Sequence, residues 1–247
     1  FRFPRLRSLI SAPMSRRYGW RFRELEAEIV RNSPALNITY TPRSFQVYAN
    51  EFPQSRYAFV GASIDGRRHE PFEPPKGSGP LVYISLGTEL NKSERFFRRC
   101  VEAFGSTGMR VVMAIGDSVR PESLGPVPPA MMVRRRVPQL EVLSRASLFI
   151  THGGMNSVNE ALFYGVPMLV VPVGNDQPTV ARRVEELGLG EALDIREATP
   201  GVLREAAMRV LTDRECHVRL SEFRQETRNA GGNAKAVKLI LEQLDRA

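Results

Sequence analysis

The 247-residue sequence is short of several things that would fix its class at once. It holds two cysteines, Cys100 and Cys216, in no motif, which excludes a disulfide scaffold. Two lone thiols fit a reducing compartment, and a cytoplasmic location is the expectation. The longest apolar stretch, Val166–Val173, is broken by Pro167 and Pro172. It falls far short of the roughly 18–20 residues of a membrane helix. No G-x-x-x-x-G-K-[ST] occurs, which argues against a P-loop enzyme. No G-x-G-x-x-G follows the first strand pattern, and no G-x-S-x-G occurs, which argues against the usual dinucleotide fold and against a serine hydrolase. The three histidines, His69, His152 and His217, are scattered, and no His or Cys set has metal-ligand spacing, so no metal is expected. Helix-turn-helix, zinc-knuckle and aromatic-basic RNA motifs are also missing, which argues against nucleic acid.

What is present is an ordinary globular balance, 42% hydrophobic and 25% charged, with a net charge of +8. Such a charge favours anionic partners, phosphorylated small molecules among them. Residues 1–23 carry seven arginines and no acid, and the first residue is Phe1. An Arg-rich leader is one reading of this segment. The surface of a domain whose beginning is missing is preferred, because an amphipathic pattern over Arg21–Arg31 runs straight into strand-like pieces at Asn37–Tyr40 and Tyr57–Val60. Residues 62–80 are rich in Gly and Pro and read as a linker. The expected division is therefore 1–62, a linker over 63–80, and a main domain over 81–247.

The main domain alternates strand and helix patterns. Strands are expected at Leu81–Leu86, Arg110–Ile115, Ala130–Val133, Leu148–Ile150 and Pro167–Val171. Helices are expected at Lys92–Phe104, Leu140–Leu143, Met155–Tyr164, Thr179–Leu187, Pro200–Leu211, Glu215–Arg228 and Ala234–Leu244. This is the pattern of an α/β, doubly wound parallel sheet, which binds ligands beyond the carboxyl ends of its strands.

One cluster falls at such an end. Thr151, His152, Gly153, Gly154, Met155, Asn156 and Ser157 lead from a strand into a helix that carries Glu160. Glycines permit a tight turn and close ligand approach. The free N–H groups and dipole of the next helix attract phosphate. His152 has a hydrogen bond to donate to a phosphate oxygen. Glu160 lies about one and a half turns in, placed to accept bonds from a vicinal diol such as ribose. The structural alternative is a capping box, Ser157-x-x-Glu160, beside a core histidine.

The run Val137-Pro138-Gln139, the cluster from Thr151 to Glu160, and Asp176-Gln177-Pro178 together resemble the donor signature of nucleotide-sugar-dependent glycosyltransferases with the two-domain B-type fold. The bacterial macrolide and flavonoid enzymes are the nearest likeness, over most of residues 37–245. Phe45-Gln46 and Phe59-Val60-Gly61 look like the end of that family's first domain. The resemblance implies an inverting, metal-independent hexosyltransferase using a UDP-sugar and a small hydroxylated acceptor, a phenol, flavonoid or macrolide. Under it, Ser85, Gly87 and Thr88 lie near diphosphate and sugar, and Val137 and Gln139 meet base and ribose. His152 and the N–H groups of Asn156 and Ser157 hold diphosphate, Glu160 holds ribose, and Asp176 and Gln177 hold the sugar, with glucose the expected one. Relatives carry an aromatic residue where this chain has Arg136, so its guanidinium either stacks on the base or is a solvated strand end. The family's basic histidine has no match here, which makes the chain a donor-binding portion awaiting an N-terminal domain or partner chain. A donor-binding subunit of a two-chain transferase shares every motif, and a sugar-nucleotide 2-epimerase is the less favoured alternative.

Overall fold

The computed structural model describes residues 35–64, 70–87 and 93–245. The arginine-rich start, the pattern over Arg21–Arg31, His69 and Thr88 lie outside the described residues. Strand β1 is Asn37–Thr39 and β2 is Tyr57–Phe59. Contacts group residues 38–51 and 59–245 into one compact unit, and the described residues 35–37 and 52–58 into another. In the smaller unit, Phe52 and Tyr57 meet edge to face at 5.0 Å. The larger unit carries everything that follows.

Its strands are β3 (Leu81–Ser85), β4 (Arg110–Ala114), β5 (Met131–Arg134), β6 (Leu148–Thr151), β7 (Met168–Val170) and β8 (Gly190–Ala192). They form one sheet in the order β5-β4-β3-β6-β7-β8, and every neighbouring pair is parallel. The helices are α1 (Glu94–Phe104), α2 (Gln139–Leu143), α3 (Met155–Tyr164), α4 (Gln177–Glu186), α5 (Pro200–Thr212), α6 (Arg214–Asn229) and α7 (Gly232–Leu244). Among the described residues no helix is long and apolar enough to cross a membrane.

Side-chain alternation divides the core. Val82 and Ile84 of β3 face a layer holding Phe96, Phe97 and Phe104 of α1 and Leu203 and Ala206 of α5. Leu81 and Tyr83 face the other layer, with Val158 and Leu162 of α3, Val180 of α4 and Leu220 of α6. Both faces of β3 are therefore covered, and all five of its residues are buried. Chain order reverses between β3 and β6, which opens a crevice at their carboxyl ends.

The observed strands and helices sit within a few residues of the periodicity over most of the domain. Strand β8 is the exception. Its Gly-Glu-Ala sequence has no apolar run to announce it. It pairs with β7 because Gly190, at φ +155°, lets the backbones approach, and a Cβ there would lie 1.8 Å from the Met168 carbonyl oxygen. The Pro- and Gly-rich residues 70–80 form no helix or strand, yet they are fastened to the domain. Phe72 is buried at 9% exposure, its carbonyl accepts from Arg145 Nη1 at 2.9 Å, and Arg110 Nε donates to Gly79 O at 2.8 Å.

Candidate functional site

A cavity of about 470 Å³ opens where the chain order reverses. Tyr83 and Ser85 of β3, Gly87 just beyond it, His152 and Gly154 after β6, and Asn156 and Ser157 at the start of α3 line it. Asp117, Arg136, Val137 and Gln139 line it as well. Residues from four sequence segments thus converge; of the expected residues, Glu160, Asp176 and Gln177 are not on this lining.

His152 is the best-defined element. A Cβ on Gly87 would lie 2.7 Å from its Cε1, and one on Gly154 would lie 2.6 Å from its Nε2. Both contacts are shorter than carbon packing tolerates, so the two glycines make room for the imidazole edge. Gly87 also takes φ +78°, a left-handed conformation that other residues rarely adopt. Nδ1 is buried and has no hydrogen-bond partner among the described residues. Burial holds the imidazole below its ordinary value of 6.5, and the nearby Asp176 charge pulls the other way. A neutral ring whose Nδ1 lacks an acceptor keeps its proton more cheaply on Nε2, at the edge between the glycines.

The start of α3 also faces this cavity. Its N-cap is Gly154, in extended conformation, with no side chain capping the first turn. Ser157 therefore stands three residues inside the cap position, and the capping-box alternative does not hold. An uncapped first turn leaves backbone donors for an anion.

A hydrogen-bonded chain runs within the wall, from Tyr83 through Gln139 and Ser157, which line the cavity, to Glu160, which does not. The Tyr83 hydroxyl donates to Gln139 Oε1 at 2.9 Å. Gln139 Nε2 donates to Ser157 Oγ at 3.3 Å and to Glu160 Oε2. Glu160 is buried at 5% exposure and is not on the main wall. It borders a second hollow of about 450 Å³ with Tyr40, Ser63 and Asn159. Glu160 thus reaches the main cavity through Gln139. Tyr83, at 1% exposure, escaped the motif reading; its one signal in the sequence is a polar tip inside an otherwise apolar strand.

The remaining expected residues are more peripheral. Arg136 is exposed at the cavity mouth and paired with Asp117. Val137 lines the wall just before α2. Gly153, at φ +84°, forms the turn, and a Cβ there would lie 2.7 Å from Val170 Cγ1. Asp176 is the exposed N-cap of α4. Gln177 is buried, and its Oε1 accepts from the N–H groups of Val173 at 2.8 Å and Gly174 at 3.0 Å. Its carbonyl oxygen therefore holds the loop before α4.

The family model for erythromycin biosynthesis protein CIII-like C-terminal domains matches residues 98–242. The NDP-glycosyltransferase YjiC of Bacillus licheniformis is 45% identical over 210 residues, 83% of this chain and 52% of its own length. The UDP-glucosyltransferase YojK of Bacillus subtilis, itself uncharacterized, is 40% identical over 84% of this chain and 51% of its own length. The chain spans about half the length of these curated relatives. Among solved structures, the calicheamicin glycosyltransferase CalG4 superposes with a TM-score of 0.83 at 33% identity, over 99% of this chain and 62% of that one. The sheet order, the cavity at its reversal and the family match lead to one conclusion: the chain belongs to the erythromycin biosynthesis protein CIII-like C-terminal domain family, from the bacterial glycosyltransferases of the B-type fold.

Proposed function

We propose that this domain holds the nucleoside diphosphate of a sugar donor and forms the donor half of an inverting glycosyltransferase. One observation carries the reading: the His152 imidazole, seated between Gly87 and Gly154, shares a cavity with the uncapped first turn of α3. Both present N–H donors without bringing a cation. In the reaction an acceptor oxygen attacks the anomeric carbon. The bond from that carbon to the phosphate oxygen breaks, and its electron pair stays on the diphosphate. The charge so gained falls on donors that are already in position, which is the condition for electrostatic catalysis. This reading requires no metal.

The donor is read as UDP-glucose. The name of YojK supports it, as does Asp176 beside the site, close enough for its charge to act on His152. The acceptor is read as a hydroxyl on a phenol, flavonoid or macrolide. Its proton is assigned to a base outside the described residues. Of the two described histidines, His217 is on α6 with its Nε2 at 3.1 Å from Leu211 O, and His152 belongs to the donor cavity.

Calorimetry of UDP-glucose and TDP-glucose against wild type and His152→Ala tests the reading. Wild type is expected to bind UDP-glucose with no added metal and in the presence of a chelator, and the variant about tenfold or more weakly. Equal affinity in the variant would overturn it.

A further inference from the structure

Hydrogen-bond direction along the chain in the cavity wall makes a further assignment. It rests on the reading that the cavity receives a diphosphate. Gln139 has an acceptor end and a donor end, and its partners admit only one orientation. Its Oε1 takes the Tyr83 proton, and its Nε2 faces Ser157 and Glu160. The reverse orientation would set a carbonyl against the Glu160 carboxylate and would lose the bond that the Tyr83 hydroxyl donates to Oε1. Tyr83 is a dependable donor: burial pushes its phenol well above the ordinary value of 10.0, although a hydrogen bond with Ser85 pulls against this. Its ring is fixed by stacking on Phe149, with centroids 4.8 Å apart and planes 6° from parallel.

The consequence falls on Ser157. Its oxygen accepts from Gln139 Nε2, so its own proton is left for another acceptor. Ser157 lines the cavity one turn from Gly154. We infer that Tyr83 is a positioning residue: through Gln139, with Glu160 as the anchor at the far end, it sets Ser157 to donate toward an anion in the cavity. If the Gln139 amide turned over, its carbonyl would claim the Ser157 proton. The anion would then face an oxygen with no hydrogen to give.

The inference names a substrate feature, the phosphate groups, as what Tyr83, itself part of the cavity wall, serves through Ser157. Tyr83→Phe keeps the stacked ring and removes one oxygen, so the fold is expected to survive; a melting curve checks this. UDP affinity by calorimetry and uridine affinity by ligand-observed NMR are measured for wild type, Tyr83→Phe, Ser157→Ala and the double variant. Tyr83→Phe should weaken UDP about fivefold while leaving uridine within about twofold. The double variant should bind UDP no more weakly than Ser157→Ala alone, because Tyr83 acts through that hydroxyl. Equal loss for UDP and uridine, additive losses, or an unchanged UDP affinity in Tyr83→Phe would overturn the inference. Failure of wild type to bind UDP would instead overturn the reading of the cavity on which it rests.

Discussion

Two kinds of helix start stand in the same domain. Helix α6 begins behind Asp213, whose Oδ1 accepts from Cys216 N at 3.1 Å, and α5 begins behind Thr199, whose Oγ1 accepts from Val202 N at 3.4 Å. Helix α3 begins behind Gly154, which has no side chain to offer. At α5 and α6 the chain closes its own orphan donors. At α3 it leaves them open toward a cavity and adds a seated imidazole. An open start alone marks nothing, since Ser93 before α1 makes no side-chain cap either. The difference lies in what else converges there, and under the proposed function a nucleotide's diphosphate takes the place of the cap.

The largest effect should come from giving α3 the cap that α6 has. Gly154→Asp would place a carboxylate in the anion's position and crowd His152, whose Nε2 lies 2.6 Å from where the new Cβ would stand. UDP-sugar affinity should fall by about a hundredfold or more in a calorimetric titration while the helix stays folded by circular dichroism. Retained binding would dissolve the contrast.

The converse change should leave function alone. Asp213→Ala opens α6, and stability should drop by about 1 kcal/mol in a denaturant titration. UDP affinity is expected to stay within about twofold, since α6 starts away from the cavity.

A third effect follows from the imidazole. Its value in the free protein is held below 6.5 by burial, so the unfolded chain takes the proton more readily. The stability this contributes is present above pH 6.5 and is lost as pH falls below it. A bound diphosphate favours the charged ring and raises its value, so binding takes up a proton. Affinity for a UDP-sugar, whose own phosphodiester charges are constant in this range, should rise about threefold to fivefold from pH 7.5 to 5.5. His152→Ala should abolish that slope.

The smallest effect concerns the cavity mouth. Arg136 and Asp117 form an exposed ion pair. Asp117→Ala should change stability by less than about 0.5 kcal/mol by thermal melting. It frees the guanidinium, so any gain in affinity for nucleosides with an attached base over inorganic pyrophosphate reports stacking by Arg136.

Much of this contrast was legible in the sequence. Apolar runs such as Leu81–Leu86 gave the buried strands, and Gly87, Gly116 and Gly153 marked the ends of three of them. The paired glycines before Met155, the histidine ahead of them and the Val-Pro-Gln run marked the cavity. Three things were hidden. Strand β8 forms from Gly-Glu-Ala because β7 supplies its partner and Gly190 allows the approach. The segment over 70–80 reads as a linker because single anchors, Phe72 and the Arg110 bond to Gly79, leave no periodicity. The Tyr83–Gln139–Glu160 chain joins residues 56 and 21 positions apart, so only the fold brings them together. Ser157-x-x-Glu160 also fits a cap, and only the backbone conformation of Gly154 separates the two meanings.

A crystal structure of this domain with UDP tests the central claim most directly. The predicted result is pyrophosphate oxygens within hydrogen-bonding distance of His152 Nε2 and of the backbone N–H groups of Asn156 and Ser157. Pyrophosphate bound at any other helix start, with the first turn of α3 bare, would contradict the account.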